Sequence, residues 1–300
     1  MSGVLVVDKP AGPTSHDVVG RVRRALGTSR IGHTGTLDPL ATGVLPLVVG
    51  RATRLASLFS GAEKEYDACV RLGLATDTYD AAHLSGPPAP PPPGVDSADV
   101  EAALAEFRGR FSQSPPAYSA KKINGVAAYT LARRNEAVQP RAVPVTVHSL
   151  TLVCYSDGLA RLKVRCSAGF YVRSLAHDLG ARLGCGGHLE TLRRGRAGSF
   201  DESVASPLRQ IEAEGTDAVR RLVPLSALLP EVPAVVLTDR GVRRATHGND
   251  LAPEDLAGSA MPGPLHATEE RWRLLDDRGT LLGIAEWGAA GALHPVIVLV

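Results

Sequence analysis

Apolar positions along the chain follow two rhythms, one of period two and one of about three and a half. Val4 to Val7 is an unbroken apolar run that predicts a buried strand. The segment Asp8-Lys9-Pro10-Ala11-Gly12-Pro13 is a loop by composition. Val18, Val19, Val22 and Leu26 then recur at helical spacing, with Ser15 placed to cap the helix and Gly27 to end it. Val44 to Val49 reads as a second strand. Tyr66, Ala68, Val70 and Leu72 alternate, which predicts a third. Val100, Leu104 and Phe107 mark another amphipathic helix. From Ala160 to Cys166 the alternation puts Leu162, Val164 and Cys166 on one face and Arg161, Lys163 and Arg165 on the other. Three like charges on one strand face repel unless water or phosphate lies near. If Gly169-Phe170-Tyr171-Val172-Arg173 is extended, Tyr171 and Arg173 point to the same side. Leu175, Leu179 and Leu183 then predict a helix ended by Gly184.

Around Val232 the pattern changes. Val232 to Leu237 is strand-like, Gly241 to Thr246 is short and basic, and Pro295–Val300 is apolar and strand-like. A small β-rich C-terminal domain is the simplest reading. The acidic stretch with Pro224 and Pro230 marks the boundary, so the expected division is 1–230 and 231–300. The proline tract from Pro87 to Pro93 predicts an extended surface connection. There is no internal repeat.

Composition narrows the class. The chain has 300 residues, 44% apolar, which suits one large domain with a smaller one and a sizeable core. No run reaches the roughly eighteen apolar residues of a membrane span, and no basic segment leads into a long apolar one at the N-terminus. A cytoplasmic protein without membrane contact is expected. The four cysteines, Cys69, Cys154, Cys166 and Cys185, are far apart and form no CxxC pair. That argues against a zinc ribbon or a disulfide framework. Those at 69, 154 and 166 lie in strand-like runs and read as small buried hydrophobes. Net charge is only +2, but its distribution is uneven. Residues 1–60 hold seven Lys and Arg against three Asp, and residues 161–197 hold eight basic against two acidic residues. This fits a phosphate-binding face on an otherwise neutral body, and equally fits dispersed solvated charge.

The chemistry centres on His33-Thr34-Gly35-Thr36-Leu37-Asp38-Pro39-Leu40-Ala41-Thr42-Gly43. Gly and Pro place Asp38 on a tight loop, where an Asp alone is usually structural. No GxxxxGKS/T run, convincing GxGxxG fingerprint or GxSxG elbow appears, and His33 with Asp38 is too little for a metal site. What remains is one carboxylate with tyrosines and arginines. In a closed pocket desolvation would raise the pKa of Asp38, and a nearby guanidinium would reverse that shift. Arg173 is the candidate for that guanidinium, since its fork matches a carboxylate.

Beyond the Asp38 block, four further segments occur in a recognisable order. They are Val7-Asp8-Lys9-Pro10 with Thr14-Ser15-His16; Lys64-Glu65-Tyr66 with Thr76-Asp77-Thr78; Pro115 to Lys122 with Gly125, Tyr129 and Ala132-Arg133; and Gly169 to Leu175 followed by Leu192-Arg193-Arg194. Together they resemble the motifs of the bacterial TruB family of tRNA pseudouridine synthases over roughly residues 4–200. The resemblance implies an α+β pseudouridine synthase fold with an extended mixed, largely antiparallel sheet. It also implies an RNA-gripping insertion near 112–135 and, more vaguely, a C-terminal PUA-like β-barrel. The implied activity is isomerisation of uridine-55 in the T-arm of tRNA by a monomer with no cofactor, no metal and no guide RNA. Asp38 would be the catalytic carboxylate, attacking C1′ or C6 or acting as a base at the sugar. Tyr66 would stack on the target base and is a candidate for taking the C5 proton, although an ordinary tyrosine pKa of about 10 makes it a poor base. Arg173 would pair with Asp38, and Tyr171 would support the pocket or hydrogen-bond near Asp38. His33 would hold the rearranged T-loop, Leu192 would line the base pocket, and Lys9 would organise it. Lys121, Lys122, Arg161, Lys163, Arg165, Arg193 and Arg194 are candidates for backbone phosphates. Phe170, where the family commonly has Thr, and Gly195, where Thr is frequent, depart from the pattern. An RNA-binding protein or tRNA folding chaperone, and an RNA-guided synthase, are the rival readings.

Overall fold

The computed structural model describes residues 1–82, 84, 86–87, 89–119, 122–123, 126–127, 141–258, 271–288 and 291–299. The first apolar run forms strand β1 (Gly3–Lys9), followed by helix α1 (Ser15–Leu26) and the short β2 (Ile31–His33). Next come β3 (Thr42–Val49), α2 (Ala56–Ser60), β4 (Lys64–Leu72), α3 (Ser97–Leu104) and β5 (Gly109–Gln113). Of the expected insertion, residues 112–119 and a short ladder, β6 (Lys122–Ile123) with β7 (Val126–Ala127), are described. Lys121, Gly125, Tyr129, Ala132 and Arg133 lie outside the described residues. The long β8 (Val143–Ser156) turns back as β9 (Leu159–Cys166), and α4 (Val172–Arg182) leads into β10 (Gly187–Ala197). Then come β11 (Phe200–Asp201), β12 (Ser206–Pro207), α5 (Leu208–Glu214) and β13 (Val223–Pro224). The C-terminal elements are β14 (Ala234–Val236), α6 (Asp239–Thr246), β15 (Arg271–Leu275), β16 (Leu281–Trp287) and β17 (Leu293–Val298).

One mixed sheet takes its strands from Gly3 to Pro224. Its main path runs β12-β1-β3-β10-β4-β9-β8-β5, with β2, β11 and β13 pairing off the path. Only the β1/β12 and β3/β10 pairs are parallel, so the sheet is largely antiparallel, as expected. One face carries Leu5, Val7, Leu45, Val70 and Leu162 against the apolar sides of helices α1, α3, α4 and α5. The other face of β1 and β3, bearing Val4, Val6, Val44 and Val48, packs with Leu281, Ile284 and Leu299 of the C-terminal unit. Arg54 donates to the carbonyl of Val298 at the same junction. The C-terminal strands form a four-stranded sheet, β14-β15-β16-β17, that is open among the described residues. Gly241 to Thr246 belongs to helix α6. No helix among the described residues is long and apolar enough to cross a membrane.

Several local expectations need correction. Thr14, not Ser15, caps α1: its hydroxyl accepts from the Asp17 amide while Asp17 accepts from the Thr14 amide. Ser15 is buried in the first turn and turns its hydroxyl onto Leu37 instead. The Gly169–Arg173 segment is not an extended run, because Val172 already begins α4 and Tyr171 is its cap residue. Phe107 falls in a single 3₁₀ turn after α3. Of the strand cysteines only Cys166 is buried; Cys69 is half-buried and Cys154 exposed. A register shift between Leu152 and Cys154 breaks the alternation of β8 at that point.

The parallel β3/β10 pair joins the Asp38 loop to the strand that carries Leu192. Gly43 lies opposite Arg194 in that pair with φ +100°, and a Cβ there would sit 2.3 Å from the Arg194 carbonyl oxygen. Replacing Gly43 by Ala is therefore expected to destabilise the protein by about 2–4 kcal/mol, through strain and loss of close strand approach. Urea denaturation of the two proteins checks this.

Candidate active site

The loop between β2 and β3 that carries Asp38 is held from three directions. Lys9 is fully buried, and its ammonium donates to the carbonyls of Pro10 (2.9 Å), Pro39 (3.3 Å) and Ala41 (2.7 Å). The Ser15 hydroxyl accepts from the Leu37 amide at 2.8 Å and donates to the Leu37 carbonyl at 3.0 Å. Arg194 donates from Nε to the Val44 carbonyl (2.7 Å) and from Nη2 to the Gly35 carbonyl (3.1 Å). Carbonyls that a turn leaves without strand partners are thus satisfied by buried side chains.

Arg173, in the first turn of α4, meets Asp38 from the opposite side. Nη2 donates to Oδ1 at 2.9 Å, and Nε lies 2.9 Å from Oδ2. The same guanidinium donates to the carbonyls of Thr78 (3.1 Å) and Tyr118 (3.0 Å). A second carboxylate, Asp80, has Oδ2 3.8 Å from Nη1 and is itself held by the Thr78 hydroxyl and the Ala82 amide. Asp80 was not singled out from the sequence, although it follows the Thr76-Asp77-Thr78 motif by two residues. Gln113 was missed as well. It is buried at the end of β5, accepts from the Tyr171 amide (2.8 Å) and donates to the Tyr171 carbonyl (3.0 Å), fixing the start of α4.

Asp38, Arg173, Tyr66, Tyr171, His33 and Leu192 share one cavity of about 380 Å³, also lined by Lys64, Phe170 and Arg194. Burial raises the Asp38 pKa above the ordinary carboxylate value; Arg173 pulls it back, and Asp80 adds to the rise. The expectation that a guanidinium would reverse the shift is not met, because the desolvation is larger and Arg173 also faces Asp80. Burial likewise raises the Tyr66 hydroxyl, with Arg194 opposing it, so Tyr66 keeps its proton at neutral pH. Burial lowers the His33 pKa, and the Arg194 charge adds to that, which favours a neutral ring.

The phosphate candidates separate. Arg194 is fully buried beneath the cavity, because β10 turns it inward; it is not on the surface. Arg193 points to the other face, where it meets Asp8 (3.1 Å) and Glu202 (2.5 Å). Lys163 and Arg165 lie in register with Asp67 and Glu65 of β4, and Arg165 also pairs with Glu63 at 2.9 Å. Carboxylates thus lie beside two members of the β9 charge row, Lys163 and Arg165, whereas Arg161 stands opposite Cys69 and Cys154. Among the described residues no group of three or more His, Cys, Asp or Glu is placed to hold a metal ion.

Residues 23–172 match the N-terminal domain of the TruB family pseudouridylate synthases, and residues 173–229 match the C-terminal domain of tRNA pseudouridylate synthase B. The chain belongs to the TruB family. The tRNA pseudouridine synthase B of Solibacter usitatus is 43% identical to it, over 100% of both chains. That of Thermobifida fusca is 42% identical over 99% of this chain and 98% of its own. Among solved structures, a chain of a Cbf5-Nop10-Gar1 complex superposes with a TM-score of 0.74 at 25% identity, covering 99% of this chain and 85% of that one. A chain of an H/ACA RNP bound to a substrate RNA containing 2'-deoxyuridine gives 0.72 at 24% identity, over 99% and 85%. These likenesses establish the pseudouridine synthase fold for this TruB chain.

Lys64 is a further buried cation under the TruB cavity. Its ammonium donates to the Ser60 (2.7 Å) and Ala62 (2.6 Å) carbonyls, and burial lowers its pKa to about 8. The unfolded chain then binds more protons than the folded one between about pH 8 and the ordinary lysine value of 10.5. Stability contributed at this position therefore rises with pH across that window. Urea denaturation of wild type and Lys64→Met from pH 7 to 10.5 is expected to show wild type gaining relative to the variant above pH 8.

Proposed function

We propose that this TruB-family protein isomerises uridine-55 in the T-loop of tRNA to pseudouridine. The observation that carries the reading is the Asp38 carboxylate, gripped by Arg173 at a cavity walled by Tyr66 and Leu192. The reaction breaks the bond from ribose C1′ to uracil N1 and joins C1′ to C5 of the same base, with release of the C5 proton. Nothing is oxidised and no external group enters. A carboxylate nucleophile divides the rearrangement into easier steps, whether it attacks C1′ or C6; a carboxylate base at the sugar is the third route. All three need Asp38 ionised, which is what Arg173 favours against burial.

The target base is stacked in the folded T-arm and must be extruded to reach the cavity. The raised pKa of Tyr66 supports stacking on that base over proton abstraction. Leu192 packs against the base edge, and Tyr171 bounds the pocket beside Phe170 and Arg173. A neutral His33 at the rim suits contact with the rearranged T-loop. Lys9 acts through the loop backbone. Lys121 and Arg193 are assigned to tRNA phosphates, Arg193 after release from Asp8 and Glu202. The unit from 231 to 300 is assigned a PUA-like RNA-binding role in a cytoplasmic monomer. Full-length similarity to named tRNA pseudouridine synthases B supports a stand-alone enzyme over an RNA-guided one.

Tritium release from tRNA transcript labelled at uridine C5 tests this. Wild type alone, without guide RNA, is expected to release tritium from position 55 and from no other uridine. Asp38→Asn should bind the transcript but lose at least about a thousandfold in rate. Release by neither protein with binding intact would leave an RNA-binding protein or folding chaperone. The wild-type rate should also fall as pH drops through the Asp38 pKa, and this acid limb should lie above the ordinary Asp value of about 3.9.

A further inference from the structure

The turn that grips Arg173 from behind contains a strained residue. Non-glycine residues with positive φ among the described residues are Tyr79 (+64°), Asp157 (+52°) and Leu229 (+55°). Asp157 lies in the hairpin turn between β8 and β9, where such a conformation is ordinary. Leu229 lies in the connection to the C-terminal unit. Tyr79 is different, because both of its chain neighbours face the active-site arginine. The Thr78 carbonyl accepts from Arg173 Nη1, and Asp80 Oδ2 is 3.8 Å from the same nitrogen. A bulky residue in the left-handed region persists only where its surroundings over-determine it.

Those surroundings are on the same helix as Arg173. The Tyr79 ring stacks on the His177 ring with centroids 3.8 Å apart and planes 13° from parallel. His177 follows Arg173 by four residues in α4, so the two side chains share one helix face a turn apart. The backbone of the turn is also tied to β10: the Leu189 amide donates to the Tyr79 carbonyl (2.9 Å) and the Ala81 amide to the Leu189 carbonyl (3.0 Å). The His177 Nδ1 atom is buried with no hydrogen-bond partner among the described residues. Its ring is held by stacking, not by a polar contact at that nitrogen.

We propose that the stacked Tyr79–His177 pair is a positioning clamp, which docks the 76–80 turn onto α4 and so fixes the guanidinium of Arg173 against Asp38. The inference rests on the functional reading of Asp38 given above. Neither ring touches the reacting atoms. Both act through Arg173, which at 5% exposure has little access to water and would lose one acceptor, the Thr78 carbonyl, and the nearby Asp80 charge if the turn slipped. Asp38 is faced by Arg173, by Asp80 of the same turn and by Lys9, and Arg173 acts on it more strongly than Asp80. Loosening the guanidinium therefore outweighs any retreat of Asp80 while Lys9 stays in place, and the carboxyl should titrate at higher pH.

The test uses the full chain labelled with ¹³C at aspartate carboxyls, with Asp38→Asn to assign the Asp38 signal. Tyr79→Asn tolerates positive φ but lacks the ring, and His177→Ala removes the other ring. Each is expected to move the Asp38 titration midpoint upward. Each should also lower the single-turnover rate on tRNA by about tenfold, with Kd for tRNA changed less than about twofold. Tyr79→Phe and His177→Phe keep the stack and should restore wild-type values. An unmoved Asp38 midpoint in both ring-deleted variants overturns the clamp, as does a Tyr79→Phe protein as impaired as Tyr79→Asn. The titration needs no turnover. Inactive wild type with the expected midpoint shifts would refute the isomerase reading and leave the clamp standing.

Discussion

A guanidinium shut off from water must find its acceptors within the protein, and much of this fold serves to supply them to Arg173. Asp38 comes from the loop before β3, Thr78 and Asp80 from the turn after β4, and Tyr118 from the segment after β5. These pieces are distant in sequence and meet only because β3, β10 and β4 are neighbours in one sheet. Removing one partner of a buried ion pair leaves the other charge uncompensated, at about 3–5 kcal/mol. The pairing therefore constrains the entry of α4, the Asp38 loop and the 76–80 turn together.

A second layer of cations stabilises the backbone around this pair. Lys9, Lys64 and Arg194 are buried and spend their donors on backbone carbonyls. Their charge also matters at a distance, because interactions are stronger where water is excluded. Lys9 favours the ionised form of Asp38, whereas Arg194 lowers the pKa of His33 and opposes the rise at Tyr66. Positive potential is thus built into the floor of the cavity, while the arginines of the outer sheet face are largely engaged by carboxylates.

The elements with a clean period were legible in the sequence: β1, α1, β4 and β9 lie where their apolar spacing puts them. Asp38 in its turn and Arg173 as its partner were legible too, through chemistry and family resemblance. Arg193 and Arg194 show what was not. Adjacent arginines look alike in a sequence, yet strand alternation sends one to the surface and the other into the core. Gln113 and Asp80 are similarly silent, because each matters only through a contact with a residue far along the chain. The exposed Cys154 follows from a bulge, which leaves no mark in the hydrophobic pattern.

The C-terminal sheet does not hang from the large sheet as an independent appendage. Leu281, Ile284 and Leu299 share a core with Val4, Val6, Val44 and Val48, on the reverse side of the strands that present the Asp38 loop. A chain cut near residue 230 would turn that valine-rich surface out to water and invite self-association. Weak tRNA binding by such a truncated protein would then report a damaged large sheet as much as a missing RNA contact. The two contributions are separable by charge reversals on the outer strands of the C-terminal unit, which leave the shared valine seam untouched.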